Sequence, residues 1–409
     1  MNILVFISIF FFINSVYSQT NIFESYPFLS KDHNFIQFYN KSSLEKFFTG
    51  WEDIQNRKLV VVHIGDSHLQ NDAFPGRIRK NLQDQLGYGG RGIMFPYSAA
   101  KTYSNHSYHT DHTGDWEFSK NIHSKPKLPL GLSGMSVKTT IPESQLRFTF
   151  KTPEPEHYQI LKVFYKLKSS NAYIQVGVDS NTIEQKLESL KYPYSSITLP
   201  SIQNSLSFTF KPENEEESEI YFYGMSLESI NNQGIIWHNC GVDGARYKSI
   251  LQSKLFGKQL KSLEPDLVVL DLGTNEYAVG DSIPPQLEEE IHLLIGRIKS
   301  SSPSVSIILN STQDMSYKGK NLKSGRSFLK LIKKIAKETN SAFYDFYSIA
   351  GGDESMELWY QNKLSRKDFI HLTNEGYYLK GDLYSSAIID TMEALKTLTK
   401  KSLLIKSIH

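Results

Sequence analysis

A hydroxyl becomes a nucleophile only with a base to take its proton, a group to orient that base, and donors aimed at the oxyanion that forms. The 409-residue chain offers residues of all four kinds. Ser67 sits in the stretch KLVVVHIGDSHLQ (58–70), where β-branched apolar residues give way abruptly to Gly65-Asp66-Ser67-His68. Asp368 and His371 stand three apart in KDFIHLTNEGY (367–377). Asn275 lies in GTNE (273–276), and Gly241 and Gly244 lie in NCGVDGA (239–245), where a backbone amide could face an oxyanion.

Taken singly, each residue also has a purely structural reading. Ser67 could cap a helix after a strand, and Asn275 could be a satisfied turn residue. Asp368 and His371 could cap the last helix, or join another of the 12 histidines at a metal. No His-x-x-x-His or His-x-His pair accompanies them, so a metal site is not expected. His63 reads as a core residue or a support behind the site.

The elements that must carry these residues are legible in the pattern. Short apolar runs at 59–64, 234–239, 266–272, 305–310 and 342–346 alternate with helical patterns at 246–263, 285–299 and 328–339. Strand and helix in turn predict a parallel sheet covered on both faces. In such a sheet, reactive groups collect at the carboxyl ends of the strands, and Ser67, Gly241, Gly244 and Asn275 all follow predicted strands directly. From 124 to 228 the rhythm changes. QLRFTF, QILKVFYKLK, AYIQVGV, SLSFTF and EIYFYGMSL are close-set strands without helices, which predicts an antiparallel sandwich inserted into the α/β domain. The expected organisation is therefore a leader at 1–18, an α/β domain in two pieces at 19–123 and 229–409, and the β insert at 124–228.

Composition bounds the rest. With 39% hydrophobic and 22% charged residues the chain is ordinary globular protein, and a net charge of +2 without a basic block argues against a nucleic-acid footprint. The apolar stretch Ile3 to Val16, followed by VYSQ, reads as an export signal. It has no Lys or Arg before it, which leaves an uncleaved anchor open. The single cysteine, Cys240, rules out an internal disulfide framework.

Four blocks in order, GDSH (65–68), NCGVDGA (239–245), GTNE (273–276) and DFIH (368–371), resemble those of the SGNH hydrolases, the GDSL-like esterases and acylhydrolases. With the elements between them they cover roughly 56–97 and 234–399. The resemblance implies a three-layer α/β/α, flavodoxin-like domain with a parallel sheet. It places the nucleophile on Ser67, the oxyanion donors on the Ser67 and Gly244 amides and the Asn275 side chain, and the remaining triad members on Asp368 and His371. Gly244 is preferred to Gly241 because the Asn239-to-Gly244 spacing matches the family's. The usual Gly-x-Asn-Asp departs here to Gly273-Thr274-Asn275-Glu276. A narrower resemblance rests on His68, GYGGRG (87–92), the β insert before NCGVDGA, and AGGDESMELWY (350–360) before DFIHLT. These are similar to bacterial peptidoglycan and other glycan O-acetylesterases with a carbohydrate-binding-like insert.

The expected activity is ester hydrolysis through an acyl-enzyme, on acetyl groups of a carbohydrate such as peptidoglycan. It needs no cofactor and no metal, and it takes place outside the cytoplasm, in the periplasm or beyond. Neither a nucleic-acid partner nor a membrane span after signal removal is expected. Two other readings share the residues. One is an SGNH acetyltransferase or lipid esterase using the same site. The other is a glycan-binding protein on a decayed scaffold, against which the intact set counts. The 23 Tyr and 24 Phe suit sugar stacking, although most such rings are core.

Overall fold

The structure, a computed structural model, describes residues 22–406 apart from 104, 154, 156–157, 169–170, 189–192, 213–218 and 279. The expected leader at 1–18 lies outside the described residues. Five strands, Ile235–Gly241, Leu59–Gly65, Leu267–Asp271, Ser306–Asn310 and Ala342–Tyr344, lie side by side in that spatial order, every pair parallel. In chain order the strands run 2-1-3-4-5, the flavodoxin-like arrangement.

Both faces of this sheet are covered, which is why its strands read as unbroken apolar runs. Val62, Ile64, Val268 and Leu270 point to one face, where they share a core with Ile250, Leu260, Ile291 and Ile332 of the helices Tyr247–Leu251, Phe256–Leu263, Leu287–Ser301 and Ser324–Thr339. Leu59, Val61 and Val269 point to the other. There Phe74 and Ile78 of the helix Ala73–Leu86, and Tyr384 and Ile388 of the helix Asn374–Lys406, complete the packing. The helical pattern expected at 246–263 is broken in two. The Leu255 amide donates to the Leu130 carbonyl at 3.0 Å instead of continuing a helix.

Apart from the short pair Ser316–Tyr317 and Lys320–Asn321, the antiparallel strands among the described residues form two sheets. One runs Tyr194–Pro200, Tyr158–Leu167, Ile220–Ser229, Met135–Thr139, Glu117–Lys120, with Gly90–Met94 also paired to Ile220–Ser229. The other runs Tyr108–Thr113, Gln145–Phe150, Ser205–Pro212, Asn171–Val178, Asn181–Glu188. Val137, Val163 and Phe222 of the first share a core with Phe148, Ile174 and Phe208 of the second. Three strands of these sheets, Gly90–Met94, Tyr108–Thr113 and Glu117–Lys120, precede Ser124, the expected start of the insert. YHTDHT and EFSK are short and mostly polar, and in Tyr108–Thr113 only Tyr108 and Thr110 are buried, so neither segment forms an apolar run that could be read as a strand.

The β unit is fastened to the edge of the parallel sheet. Gly89 N donates to Ile235 O, and Ser229 N donates to Gly89 O, both at 3.0 Å. The chain thus leaves and returns beside Ile235–Gly241, the neighbour of the strand that leads to Ser67. Gln259 Oε1 accepts from Leu132 N at 2.7 Å, tying a loop of the β unit to a helix of the α/β unit. One continuous apolar cluster runs through both units.

Under the carboxyl ends of the strands lies a buried polar network. Lys380 Nζ, on a residue 1% exposed, is 3.6 Å from Asp271 Oδ2 and sits 4.5 and 4.6 Å from the ring centres of Phe74 and Phe346. Asn310 Nδ2 donates to the same carboxylate oxygen at 2.8 Å, and His63 Nε2 faces it at 3.5 Å. Trp237 Nε1 donates to His63 Nδ1 at 3.3 Å, which places the His63 proton on Nε2. Burial pushes the Asp271 carboxyl up, but Lys380, His63 and Asn310 together hold it well below the usual carboxylate range. His63, read from sequence as core or support, is a neutral member of this network, with its imidazole held below its ordinary range by burial. Removing one partner of a buried ion pair leaves an uncompensated charge in the interior. Lys380→Met should therefore lose about 3–5 kcal/mol in chemical denaturation. The double variant Lys380→Met/Asp271→Asn should regain a measurable part of it.

Candidate active site

The strand Leu59–Gly65 ends in a turn that starts a four-residue helix, Ser67–Gln70. Asp66 caps it, its Oδ1 accepting from His68 N at 3.0 Å. As the first residue of that helix, Ser67 has an amide with no intrahelical acceptor. The turn is pressed against its neighbours. A Cβ on Gly65 would lie 2.6 Å from Asp271 O, and one on Gly241 would lie 2.5 Å from both Gln70 N and Leu69 Cβ. Glycine at both strand ends is what lets the serine approach the sheet so closely.

His371 arrives from the opposite side of the sequence. Asp368 Oδ1 accepts from the amides of Ile370 and His371 at 3.0 and 2.9 Å, and its Oδ2 receives the His371 Nδ1 proton at 2.8 Å. With Nδ1 committed to Asp368, Nε2 is the acceptor and stands 3.1 Å from Ser67 Oγ. Burial pushes the Asp368 carboxyl up, yet the two amides and the His371 ring more than offset this and keep it below its usual value. The structure thus brings Ser67, His371 and Asp368 into one hydrogen-bonded chain.

Asn275 and the Gly244 turn lie next to the turn that carries Ser67. Gly241 N is occupied, donating to Asn239 Oδ1 at 3.1 Å. Gly244 N, in a turn where the residue has φ +78°, has no protein acceptor among the described residues. Asn275 Nδ2 donates to Ala245 O at 3.1 Å, beside Gly244, and is 3.4 Å from Asp66 Oδ2, beside Ser67. Glu276, the residue that departs from the family pattern, accepts from Tyr247 N at 2.8 Å and so fixes the start of the helix Tyr247–Leu251. Burial raises its carboxyl to about 7.

Three supporting residues were not assigned a role by sequence reasoning. Gln70, fully buried, accepts from Asp243 N at 2.7 Å and donates to Thr102 Oγ1 and Tyr103 O at 3.1 and 3.3 Å. It links the helix Ser67–Gln70, the Gly244 turn and a loop of the β unit. His68 stacks on His371 with ring centres 5.2 Å apart. Gln313 Nε2 donates to His68 Nε2 at 3.2 Å and to Ile370 O at 3.0 Å, which leaves the His68 proton on Nδ1, facing Tyr377 Oη at 3.0 Å. Burial and the neighbouring His371 hold the His68 imidazole well below its ordinary range, so it supports the base without carrying a charge beside it.

Among the described residues, the one group of carboxylates and imidazole with ligand atoms within 4.8 Å is Glu288, His292 and Glu338. Lys334 Nζ already bonds Glu288 Oε1 there at 2.5 Å and lies 3.9 Å from Glu338 Oε1, so an ammonium group occupies the acids.

Residues 222–379 match the GDSL-like Lipase/Acylhydrolase family. A solved structure of a peptidoglycan O-acetylesterase is similar over 88% of this chain and 99% of its own, with a TM-score of 0.71 at 18% identity. A family two carbohydrate esterase from Clostridium thermocellum is similar over 69% and 99%, with a TM-score of 0.31 at 11% identity. An acetyl-xylooligosaccharide esterase from Geobacillus stearothermophilus is similar over 37% and 71%, with a TM-score of 0.31 at 20% identity. No curated protein matches the sequence. The GDSL-like match thus falls on residues 222–379, in the second half of the chain, and the flavodoxin-like sheet beneath Ser67 is the fold that the chain shares with a solved acetylesterase, so the chain is similar to carboxylic ester hydrolases of the GDSL-like type.

Proposed function

We propose that the chain removes O-acetyl groups from a polysaccharide, peptidoglycan being the leading candidate, through an acyl-enzyme on Ser67. The observation that carries this reading is the chain of contacts from Asp368 through His371 to Ser67, at 2.8 and 3.1 Å. The whole-chain likeness to a peptidoglycan O-acetylesterase supports the choice of substrate. The apolar stretch Ile3 to Val16 supports export to where such a polymer lies.

In the proposed reaction, Ser67 Oγ attacks the acetyl carbonyl while its proton passes to His371 Nε2. Asp368 holds the imidazole in the accepting tautomer and stabilises the imidazolium. The Ser67 and Gly244 amides and Asn275 Nδ2 receive the oxyanion. The proton on His371 goes to the departing sugar oxygen, leaving acetyl on Ser67. Water, deprotonated by the same imidazole, attacks the acyl carbonyl and releases acetate.

Ser67→Ala should keep the fold and lower turnover of an aryl acetate by roughly 10³ or more, and His371→Ala should match it. Asn275→Ala should cost less, about 10²–10³, since two amides remain. Near-normal acetate release by a folded Ser67→Ala protein would overturn the scheme. Release of acetate into water, with no acetyl moved to an added sugar acceptor, separates hydrolysis from transfer.

The pH profile should have an alkaline limb set by Asp66. Burial raises its carboxyl to about 8, so it is neutral at pH 7. Above that value a negative charge appears 3.4 Å from Asn275 Nδ2 and opposes the oxyanion. Asp66→Asn should remove this alkaline limb, as read from kcat/KM against pH. Stability should follow the same group. A carboxyl whose folded value is raised contributes stability that is complete below its ordinary range and is lost as pH rises to about 8. Thermal melts of Asp66→Asn should accordingly be flatter than those of the parent between the ordinary carboxylate range and pH 8.

A further inference from the structure

The β unit carries a basic cleft whose lining begins next to residues that contact the site. A cleft of about 400 Å³ is lined by Lys101, Phe118, His123, Lys125 and Lys127, with Trp116 and Glu117 at its wall. Both of its approaches begin one residue from the active-site rim. Lys101 precedes Thr102 and Tyr103, which Gln70 pins to the nucleophile's helix. His123 follows Ile122, whose Cγ2 would lie 3.7 Å from a Cβ on Gly244. Tyr103 and Ile122 are 44% and 38% exposed, so two apolar surfaces at the mouth of the site lead toward the cleft.

The charges in the cleft are not spent on one another. Glu117, its one acid, is paired to Lys138 at 2.8 Å, outside the lining. Lys101, Lys125 and Lys127 have no ion pair with any described residue. Lys101 Nζ and Lys120 Nζ stand 5.8 and 5.9 Å from the ring centre of Phe118, so cations surround an aromatic face that is itself only half-buried. Burial and Lys120 hold the His123 imidazole below its ordinary range, in keeping with a positive field at that wall. An aromatic floor suits the apolar face of a pyranose, and unpaired ammonium groups around it suit a negative substituent.

We propose that this cleft is a glycan subsite selective for a carboxylate-bearing sugar, so that the polymer presented to Ser67 is anionic rather than neutral. The inference rests on the carbohydrate-esterase reading and narrows it. Carboxylates occur on uronic acids and on the lactyl and peptide groups of peptidoglycan, and the shared chemistry is a carboxylate within one or two sugar units of the scissile acetyl.

Binding tests it apart from catalysis. Full-length Ser67→Ala protein is titrated with polygalacturonate, with de-O-acetylated peptidoglycan fragments and with neutral xylan, at low and at high salt. The expected result is binding of at least one anionic polymer, at least about 10-fold tighter than of xylan, and weakened by salt as screened charges require. Combining Lys101→Ala, Lys125→Ala and Lys127→Ala should remove most of that preference, while Arg at all three positions should restore it. Which anionic polymer binds identifies the source of the carboxylate. Equal binding of xylan, no binding of either anionic polymer, or a triple Ala variant with unchanged preference would each overturn the subsite. Hydrolysis of an aryl acetate by the unsubstituted protein reports on the esterase reading separately, so the two can fail independently.

Discussion

The structure turns on how closely the turn after Leu59–Gly65 can lie against its neighbours. The strand is interior to the parallel sheet, with Ile235–Gly241 on one side and Leu267–Asp271 on the other. Its last residue faces Gly241 and Asp271 in register. Side chains at Gly65 or Gly241 would occupy the space taken by Asp271 O, Leu69 and Gln70. Because the turn is held that tightly, Ser67 projects where the loops after both neighbouring strands can reach it. The Gly244 turn comes from one neighbour and Asn275 from the other, and Gln70 and Asp66 join each to the nucleophile's helix by side-chain bonds.

Beneath that layer the protein keeps charge in its interior. Asp271 ends the strand leading to Asn275, while Lys380 belongs to the helix that follows His371. Their pairing ties the strand that leads to Asn275 to the helix that follows His371 through a contact that water does not reach. Buried pairs of this kind are weak evidence for stability, since their desolvation is costly. Here the compensation is visible in Asn310, His63 and the two flanking phenylalanine rings. A neutral His68 stacked on His371 belongs to the same economy of charge, because it places no charge of its own beside that ring.

Much of this was legible in the residues themselves. The five parallel strands announce themselves because both their faces are buried, and Ser67, Asn275, Asp368 and His371 stand beside turns that a core would not choose. The strands at 108–113 and 117–120 were missed for the opposite reason. Each buries only alternate or isolated positions, and their polar residues look like loop. Gln70 was missed because its importance lies in three partners far away in sequence, at 102, 103 and 243. The break in the helical pattern at 246–263 likewise depends on Leu130, a residue of the other unit. Local pattern reports what a segment buries; it does not report which distant backbone group its polar atoms will find.

The attachment of the β unit at the sheet edge also bears on how the chain can reach this state. Leu59 must pair with Ile235 across the whole antiparallel unit, a closure that an unstructured chain would make slowly. Gly89 bonds to both Ser229 and Ile235, so a β unit that has already formed holds the two ends of that long loop together. The remaining search is then short, from the end of the helix Ala73–Leu86 to the strand that waits beside it. In this topology the sandwich bridges the two ends of the long loop and so serves as an internal splint for the parallel sheet.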